Sequence, residues 1–419
     1  MVARLCGVTG ARIVVAFTIG QGGSVVVYNM RRNAIVCVNS WPDTGMIDGI
    51  LRQPDFNLLN SLNMTPRKTL RLLRFAICSA ARSLVAACTV SVLFFGASVN
   101  AAEFKTLAFG SCNHGHLPQP MWSVIESHKP DLFLWTGDVV YADTTDPVKM
   151  KRKYSQQLNR PEYRQFTSKI PVIGVWDDHD YGINNGGKKH PTKARAQQMF
   201  LDFIGEPQGT DRRKQEGVYT SYTYGEGLNT VKLFLLDVRY NRDLTGSGRA
   251  DTLGEKQWQW LEKEMQNSTA SVNIIVSSIS VMSTQFPFAE EWNDFKWSRK
   301  RLFKLLDDND LPGVLFLTGD RHFSSHYEGK VKGQVYHEFM SSGLTHYMNR
   351  PWVSAIFKIA YGETDNYFNR NFSKITFHWD RQPLQMTFEV FGTKNKQRVE
   401  KSLSLVDGFW SDKLPVAAR

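Results

Sequence analysis

The sequence predicts an α/β fold with two β-sheets. Three observations point there: short apolar, β-branched runs alternate with amphipathic stretches after residue 102, each central run ends in a polar cluster, and the chain closes on segments that alternate at period two. The composition agrees. With 42% hydrophobic residues, 12% aromatics and 16 prolines in 419 residues, the chain is globular in kind, which excludes a disordered, collagen-like or disulfide-scaffold protein.

Taken from the amino terminus, residues 1–63 show no run of alternating elements, no acidic cluster and no histidine. They are expected to be unstructured. One explanation is a mis-called translation start with Met64 as the initiator; the other is a targeting presequence, in which Arg31-Arg32 faintly resembles a twin-arginine signal. Residues 64–101 read as a signal peptide: Arg67, Lys68, Arg71, Arg74 and Arg82 form a basic region, Leu84 to Phe95 an apolar run, and Val99-Asn100-Ala101 a small-x-Ala cleavage site. The uncharged run is shorter than the roughly 20 residues that span a bilayer, so cleavage is preferred over a signal anchor. The expected product is exported, periplasmic or secreted, with no stable membrane span.

Charge and cysteine divide at the same place. The whole chain carries 51 Lys+Arg against 40 Asp+Glu, a net +11, yet residues 1–101 hold ten basic and three acidic residues. Little of the surplus is left after residue 101, too little to argue for a specific nucleic-acid partner. Four of the 5 cysteines also lie in the leader, so Cys112 is alone in the body, where all 10 histidines fall.

Residues 102–419 are expected to form one catalytic domain. Candidate strands run Thr106 to Phe109, Leu132 to Trp135, Val172 to Trp176, Val231 to Leu236, Val272 to Val276 and Val314 to Leu317. Between them lie candidate helices at Met121 to His128, Pro147 to Gln157, Pro191 to Ile204, Leu253 to Gln266 and Trp297 to Leu306. Ile375 to Trp379, Leu384 to Phe391 and Arg398 to Leu405 alternate at period two and are expected to close a second sheet with antiparallel strands.

The polar clusters carry the chemistry. They read Gly110-Ser111-Cys112-Asn113, Gly137-Asp138-Val139-Val140-Tyr141, Asp177-Asp178-His179-Asp180, Asp237-Val238-Arg239-Tyr240, Ser277-Ser278 and Gly319-Asp320-Arg321-His322. In open α/β sheets ligands bind beyond the carboxyl ends of the strands, so these clusters are expected to converge. Carboxylates gathered without counter-charge raise one another's pKa, so Asp138, Asp178 and Asp320 in one crevice call for cations between them. Two cations can hold a phosphoryl group and activate water. Oxygen donors suit hard metals, whereas a thiolate and a phenolate suit a redox metal such as iron, which implies a mixed pair.

Gly137-Asp138-x-x-Tyr141, Trp176-Asp177-Asp178-His179-Asp180, Leu236-Asp237-x-Arg239-Tyr240 and Leu317-Thr318-Gly319-Asp320-Arg321-His322, opened by Gly110-Ser111-Cys112, closely resemble the alkaline phosphatase D (PhoD-like) branch of the calcineurin-like metallophosphoesterases. The resemblance runs from about Thr106 to His326 and implies a four-layer αββα sandwich. It further implies one metal site at Cys112, Asp138, Tyr141 and His322 and a second at Asp138, Asp178 and Asp320, with Asp138 bridging. Iron(III) would occupy the first and calcium the second, other divalent metals being possible. His179 would protonate the leaving group or stabilise the transition state. The superfamily's middle histidine is missing, with Ser277-Ser278 in its place.

Arg239 and Arg321 are candidates for gripping phosphate oxygens, because a guanidinium fits them bidentately; for Arg239 an ion-paired scaffold role near Asp237 stays open. His114 and His116 flank Cys112 and are open to metal or substrate contact or to a solvated loop. The aromatic stretch Gln285 to Trp292 is a candidate lid, and the basic run Lys296 to Lys304 is read as a solvated helix face. The expected activity is hydrolysis of phosphomonoesters by direct attack of metal-activated hydroxide. Diester or phospholipase-D-type hydrolysis on the same site is the alternative, and a non-catalytic, metal-stabilised exported binding protein is the reading from another class.

Overall fold

The computed structural model describes residues 2–9, 12–19, 22–29, 34–38, 103–283, 290–348 and 365–413. They belong to two units, Met1–Val99 and Asn100–Arg419. The signal-peptide segment 64–101 lies outside the described residues.

In the first unit β1 (Val2–Thr9), β2 (Arg12–Ile19), β3 (Gly22–Asn29) and β4 (Ala34–Val38) pair in that order as an antiparallel meander. This departs from the expectation that residues 1–63 lack structure. The overlooked signal is a series of β-branched runs parted by short gaps at Gly10 and Gly20, the spacing of successive hairpins.

The second unit contains, in chain order, β5 (Thr106–Gly110), α1 (Met121–Ser127), β6 (Leu132–Thr136), α2 (Pro147–Leu158), α3 (Pro161–Thr167), β7 (Val172–Val175), α4 (Asp178–Tyr181), α5 (Lys193–Phe203) and α6 (Asp211–Lys214). There follow β8 (Thr220–Tyr224), β9 (Val231–Leu235), α7 (Glu255–Gln266), β10 (Val272–Val276), α8 (Lys296–Asn309) and β11 (Val314–Thr318). The chain closes with β12 (Ser324–Val331), β13 (Gln334–Ser341), β14 (Asn371–His378), β15 (Gln385–Gly392), β16 (Gln397–Val406) and β17 (Phe409–Ser411).

One sheet runs β17-β16-β15-β14-β5-β6-β7 and the other β12-β13-β11-β10-β9-β8. Within them β5, β6 and β7 are mutually parallel, as are β9, β10, β11 and β13. The closing strands β14, β15 and β16 pair antiparallel, as expected. β14 pairs antiparallel with β5, Ser373 opposite Phe109, and so extends the first sheet, while β12 and β13 complete the second.

Side-chain parity shows the four layers. Leu107, Phe109, Leu132 and Leu134 of one sheet share a buried cluster with Leu233, Leu235, Ile274, Val276, Leu315 and Leu317 of the other, so these faces meet. The alternate residues point away. Ala108, Phe133 and Trp135 pack with Trp122, Tyr163, Phe166 and Phe200 from α1, α3 and α5, while Phe234, Ile275 and Phe316 pack with Trp258, Leu261 and Leu302 from α7 and α8. Strands covered on both faces need continuous apolar runs, which is why β6, β9, β10 and β11 are buried along their whole length. The architecture is the αββα sandwich with two mixed sheets. Among the described residues no helix is long and apolar enough to cross a membrane.

Candidate metal centre

Because the parallel strands of both sheets run the same way as their partners, their carboxyl ends deliver Cys112 after β5, Asp138 and Tyr141 after β6, Asp177 to Asp180 after β7, and Asp320 and His322 after β11. The turn holding Asp178 and His179 is fixed by Asp180. Its carboxylate accepts the Asp177 amide at 2.6 Å and the Val139 amide at 3.0 Å, which ties the end of β7 to the end of β6.

The backbone is unusual at these points. Cys112, Asp138, Asp320 and His322 all have positive φ, at 60°, 49°, 72° and 63°. For residues other than glycine this costs of order 1–3 kcal/mol each and persists only where surrounding structure enforces it. Gly137, at φ 105°, admits no side chain: a Cβ there would meet Asp177 Cβ at 2.7 Å and Ser278 Cβ at 3.0 Å. The close approach lets the β6 and β7 turns share one crevice.

Two clusters meet at Asp138. Ligating atoms of Cys112, Asp138 and His322 lie within 4.8 Å of one another, and so do those of Asp138, Asp177, Asp178 and Asp320. The Cys112 thiol lies 3.4 Å from Asp138 Oδ2 and 3.0 Å from Ser342 Oγ. Tyr141 Oη stands 3.2 Å from His322 Nε2 and 3.0 Å from His346 Nδ1, and its ring stacks on His114 at 3.7 Å. His179 also groups with Asp138 and Asp178; its Nδ1 faces Asp143 Oδ1 at 2.6 Å.

The electrostatics ask for cations. Burial, then the charges of Asp178 and Asp177, pushes the Asp138 carboxyl well above its ordinary range. Burial and the same kind of crowding raise Asp320 to about 8, burial and Asp138 raise Cys112, and burial and Cys112 raise Tyr141. Burial, then His346, lowers His322 to about 3, which leaves a neutral imidazole with a free lone pair. His179 goes the other way: burial works against its charge but is outweighed by the hydrogen bond to Asp143 and the Asp178 carboxylate, so its pKa rises. Asp138 Oδ1, Asp177 Oδ2 and Asp178 Oδ1 are buried with no hydrogen-bond partner among the described residues. Orphaned carboxylate oxygens facing one crevice, with a thiol, a phenol and a neutral imidazole beside them, are the donor set that metal ions satisfy.

Each sequence-predicted ligand therefore reaches this crevice, and the two arginines are buried in ion pairs, Arg239 on the crevice residue Asp177. Arg239 is fully buried, with Nε 2.5 Å from Asp177 Oδ1 and Nη1 on Glu290. Arg321 is 3% exposed and pairs with Glu291 and Ser283 Oγ. Both are buried and ion-paired, and Nη2 of Arg239 has no hydrogen-bond partner among the described residues. Within the candidate lid, residues 284–289 lie outside the described residues, while Glu290 and Glu291 anchor these arginines and Trp292 is buried, its Nε1 donating to Ser277 Oγ at 3.0 Å. Sequence reasoning missed Asp143, Asp177, Ser342 and His346. Asp177 adjoins Asp178 and was within reach, but His346 and Ser342 follow β13, a strand not foreseen.

The sequence pattern of PhoD-like phosphatases matches residues 107–378 of this chain. The chain belongs to the PhoD-like phosphatase family. Alkaline phosphatase D of Bacillus subtilis (strain 168) is 23% identical over 277 residues, covering 52% of this chain and 46% of that protein. This chain thus matches only about half the length of that relative. A solved structure described as the structure of PhoD superposes with a TM-score of 0.60 at 19% identity, covering 73% of this chain and 71% of that one, a likeness of fold. The PhoD-like match spans every candidate ligand named above, from Cys112 to His322.

Proposed function

We propose that this PhoD-like chain is an exported, metal-dependent phosphoric ester hydrolase acting first on phosphomonoesters. The observation that carries the reading is the sharing of Asp138 between two donor clusters, each within 4.8 Å, with Oδ1 of that carboxylate left unpartnered. Cys112, Tyr141, Asp138 and His322 would hold one ion, and Asp138, Asp178 and Asp320 the other. Thiol, phenol and imidazole donors favour iron(III) in the first, and an all-carboxylate set favours calcium in the second. Cations so held supply a Lewis acid for the phosphoryl oxygens and lower the pKa of water.

The chain's own groups have separate tasks. His179, held by Asp143 at 2.6 Å, is oriented to give its proton to the departing alcohol oxygen. Tyr141 lies between the rings of His114 and His179, at 3.7 Å and 4.1 Å, which limits how its phenol can turn. Arg239 balances part of the carboxylate charge through its ion pair with Asp177. Export rests on the basic, apolar and small-x-Ala sequence of residues 64–101, and the catalytic domain on residues 102–419.

The test is Asp138→Asn. The protein is expected to fold, to lose metal from both sites, to lose the visible absorption that tyrosinate or thiolate ligation of iron(III) would give the wild type, and to hydrolyse neither a phosphomonoester nor a phosphodiester. Wild-type turnover in that variant would remove Asp138 from the centre. A wild type that cleaves diesters faster than monoesters would move the substrate class while leaving the centre in place.

A further inference from the structure

A second group of metal-binding side chains lies on the β12–β13 hairpin, apart from the residues described above. His326 and Glu328 sit two residues apart on β12, hence on one face, and His337 of β13 stands directly opposite Glu328 in the antiparallel register. Their ligating atoms fall within 4.8 Å of one another. His326 Nε2 is 3.0 Å from His337 Nδ1, and Glu328 Oε2 is 3.9 Å from the same Nδ1. Ligands on one zinc ion, each about 2.0–2.2 Å from it, are separated by roughly 3–4 Å, so these spacings suit a common ion.

The outer partners specify the donor atoms. His337 Nε2 faces the carbonyl oxygen of Trp410 at 3.0 Å. A carbonyl only accepts, so Nε2 carries the proton and Nδ1 of the neutral ring carries the lone pair. His326 Nδ1 faces Asp365 Oδ2 at 3.4 Å, which by the same reasoning places a proton on Nδ1 and a lone pair on Nε2. Two lone pairs then oppose each other at 3.0 Å, an arrangement that needs a cation. A carboxylate on one imidazole and a carbonyl on the other are the outer contacts that orient metal-ligating histidines. The His326 and His337 side chains are 5% and 1% exposed whereas Glu328 is 50% exposed, so the group is closed on the protein side and open to water on the other.

We infer that His326, His337 and Glu328 form a binding site for a borderline divalent ion of the zinc class, with water in the fourth position. Two imidazoles and one carboxylate are a donor set that such an ion prefers over calcium or magnesium. The site would also act as a clamp. His337 belongs to β13 of the second sheet and Trp410 to the edge strand β17 of the first, so an ion on His337 fixes a ring that bridges the two sheets. It does not depend on the phosphoesterase reading.

The experiment uses the full, metal-replete chain, dialysed against excess zinc and then against buffer, with zinc counted by atomic spectroscopy. Wild type is expected to retain one equivalent more than His326→Ala and than Glu328→Ala, and its thermal midpoint is expected to rise on zinc addition while theirs does not. Phosphate-ester hydrolysis should be the same in all three. Should His326→Ala fail to fold, Glu328→Ala, altered at a half-exposed side chain, decides. Equal zinc in wild type and Glu328→Ala would overturn the site and leave a proton shared between the two rings.

Discussion

Asp320→Asn is expected to stabilise the metal-free protein while disabling the metal-loaded one. Asp320 shares its crevice with Asp138, Asp177 and Asp178, and burial followed by the charges of Asp177 and Asp178 lifts its pKa from 3.8 to about 8. A carboxyl whose folded pKa exceeds its unfolded value is penalised in the fold when ionised. The metal-free protein therefore suffers no loss from this group below its unfolded value of 3.8 and loses stability as pH rises from there through about 8. At about 1.36 kcal/mol per pKa unit the full shift is on the order of 5 kcal/mol, and because the side chain keeps some contact with solvent, screening reduces it to roughly 2–3 kcal/mol. Asparagine lacks that ionisation. Urea unfolding of chelator-stripped wild type and variant should show the variant more stable by roughly 2–3 kcal/mol at about pH 8 and little different at about pH 4. Metal should reverse the order, since an ion that binds only the native state stabilises wild type by mass action. Equal stabilities at the higher pH, or a gap of the same size at both, would refute the carboxylate-repulsion account.

His179→Asn should reduce turnover by about 10²–10⁴-fold, the usual contribution of a positioned general acid, with metal content unchanged by elemental analysis; loss of metal instead would make the imidazole a ligand. Arg239→Ala should act on the fold, because it strands the Asp177 and Glu290 carboxylates inside the protein. The expected destabilisation is about 3–5 kcal/mol by urea unfolding. Unchanged stability with a raised KM would restore the substrate contact that the sequence suggested.

How much of this was legible in the sequence differs between backbone and side-chain contacts. The strands β5, β6, β9, β10 and β11 were readable because, covered on both faces, they are nearly continuous apolar runs, and the edge strand β7 because Val172, Ile173 and Val175 are β-branched; the polar residues that end these runs had nowhere to go but the shared crevice. The pairing of β14 with β5 was not readable, since period-two alternation marks a strand without marking its neighbour. β12 and β13 were missed because Ser324 to Val331 is only partly apolar, and with them went Ser342 and His346. Arg239 shows a further limit. An arginine beside a cluster of aspartates fits a phosphate and fits an internal ion pair equally well, and the sequence could not foretell that its guanidinium is buried against Asp177 and Glu290.

The left-handed backbone at Asp138, Asp320 and His322 restricts what the chain can place there. Apart from glycine, the residues that tolerate such a conformation best are asparagine, aspartate and histidine. Those same residues carry short, rigidly placed oxygen or nitrogen donors. Backbone geometry and coordination chemistry thus filter the same alphabet, and glutamate, which passes the second filter with its carboxylate, is disfavoured by the first. Drift at these strand ends should move among aspartate, asparagine and histidine, altering which ion is held before it alters the fold.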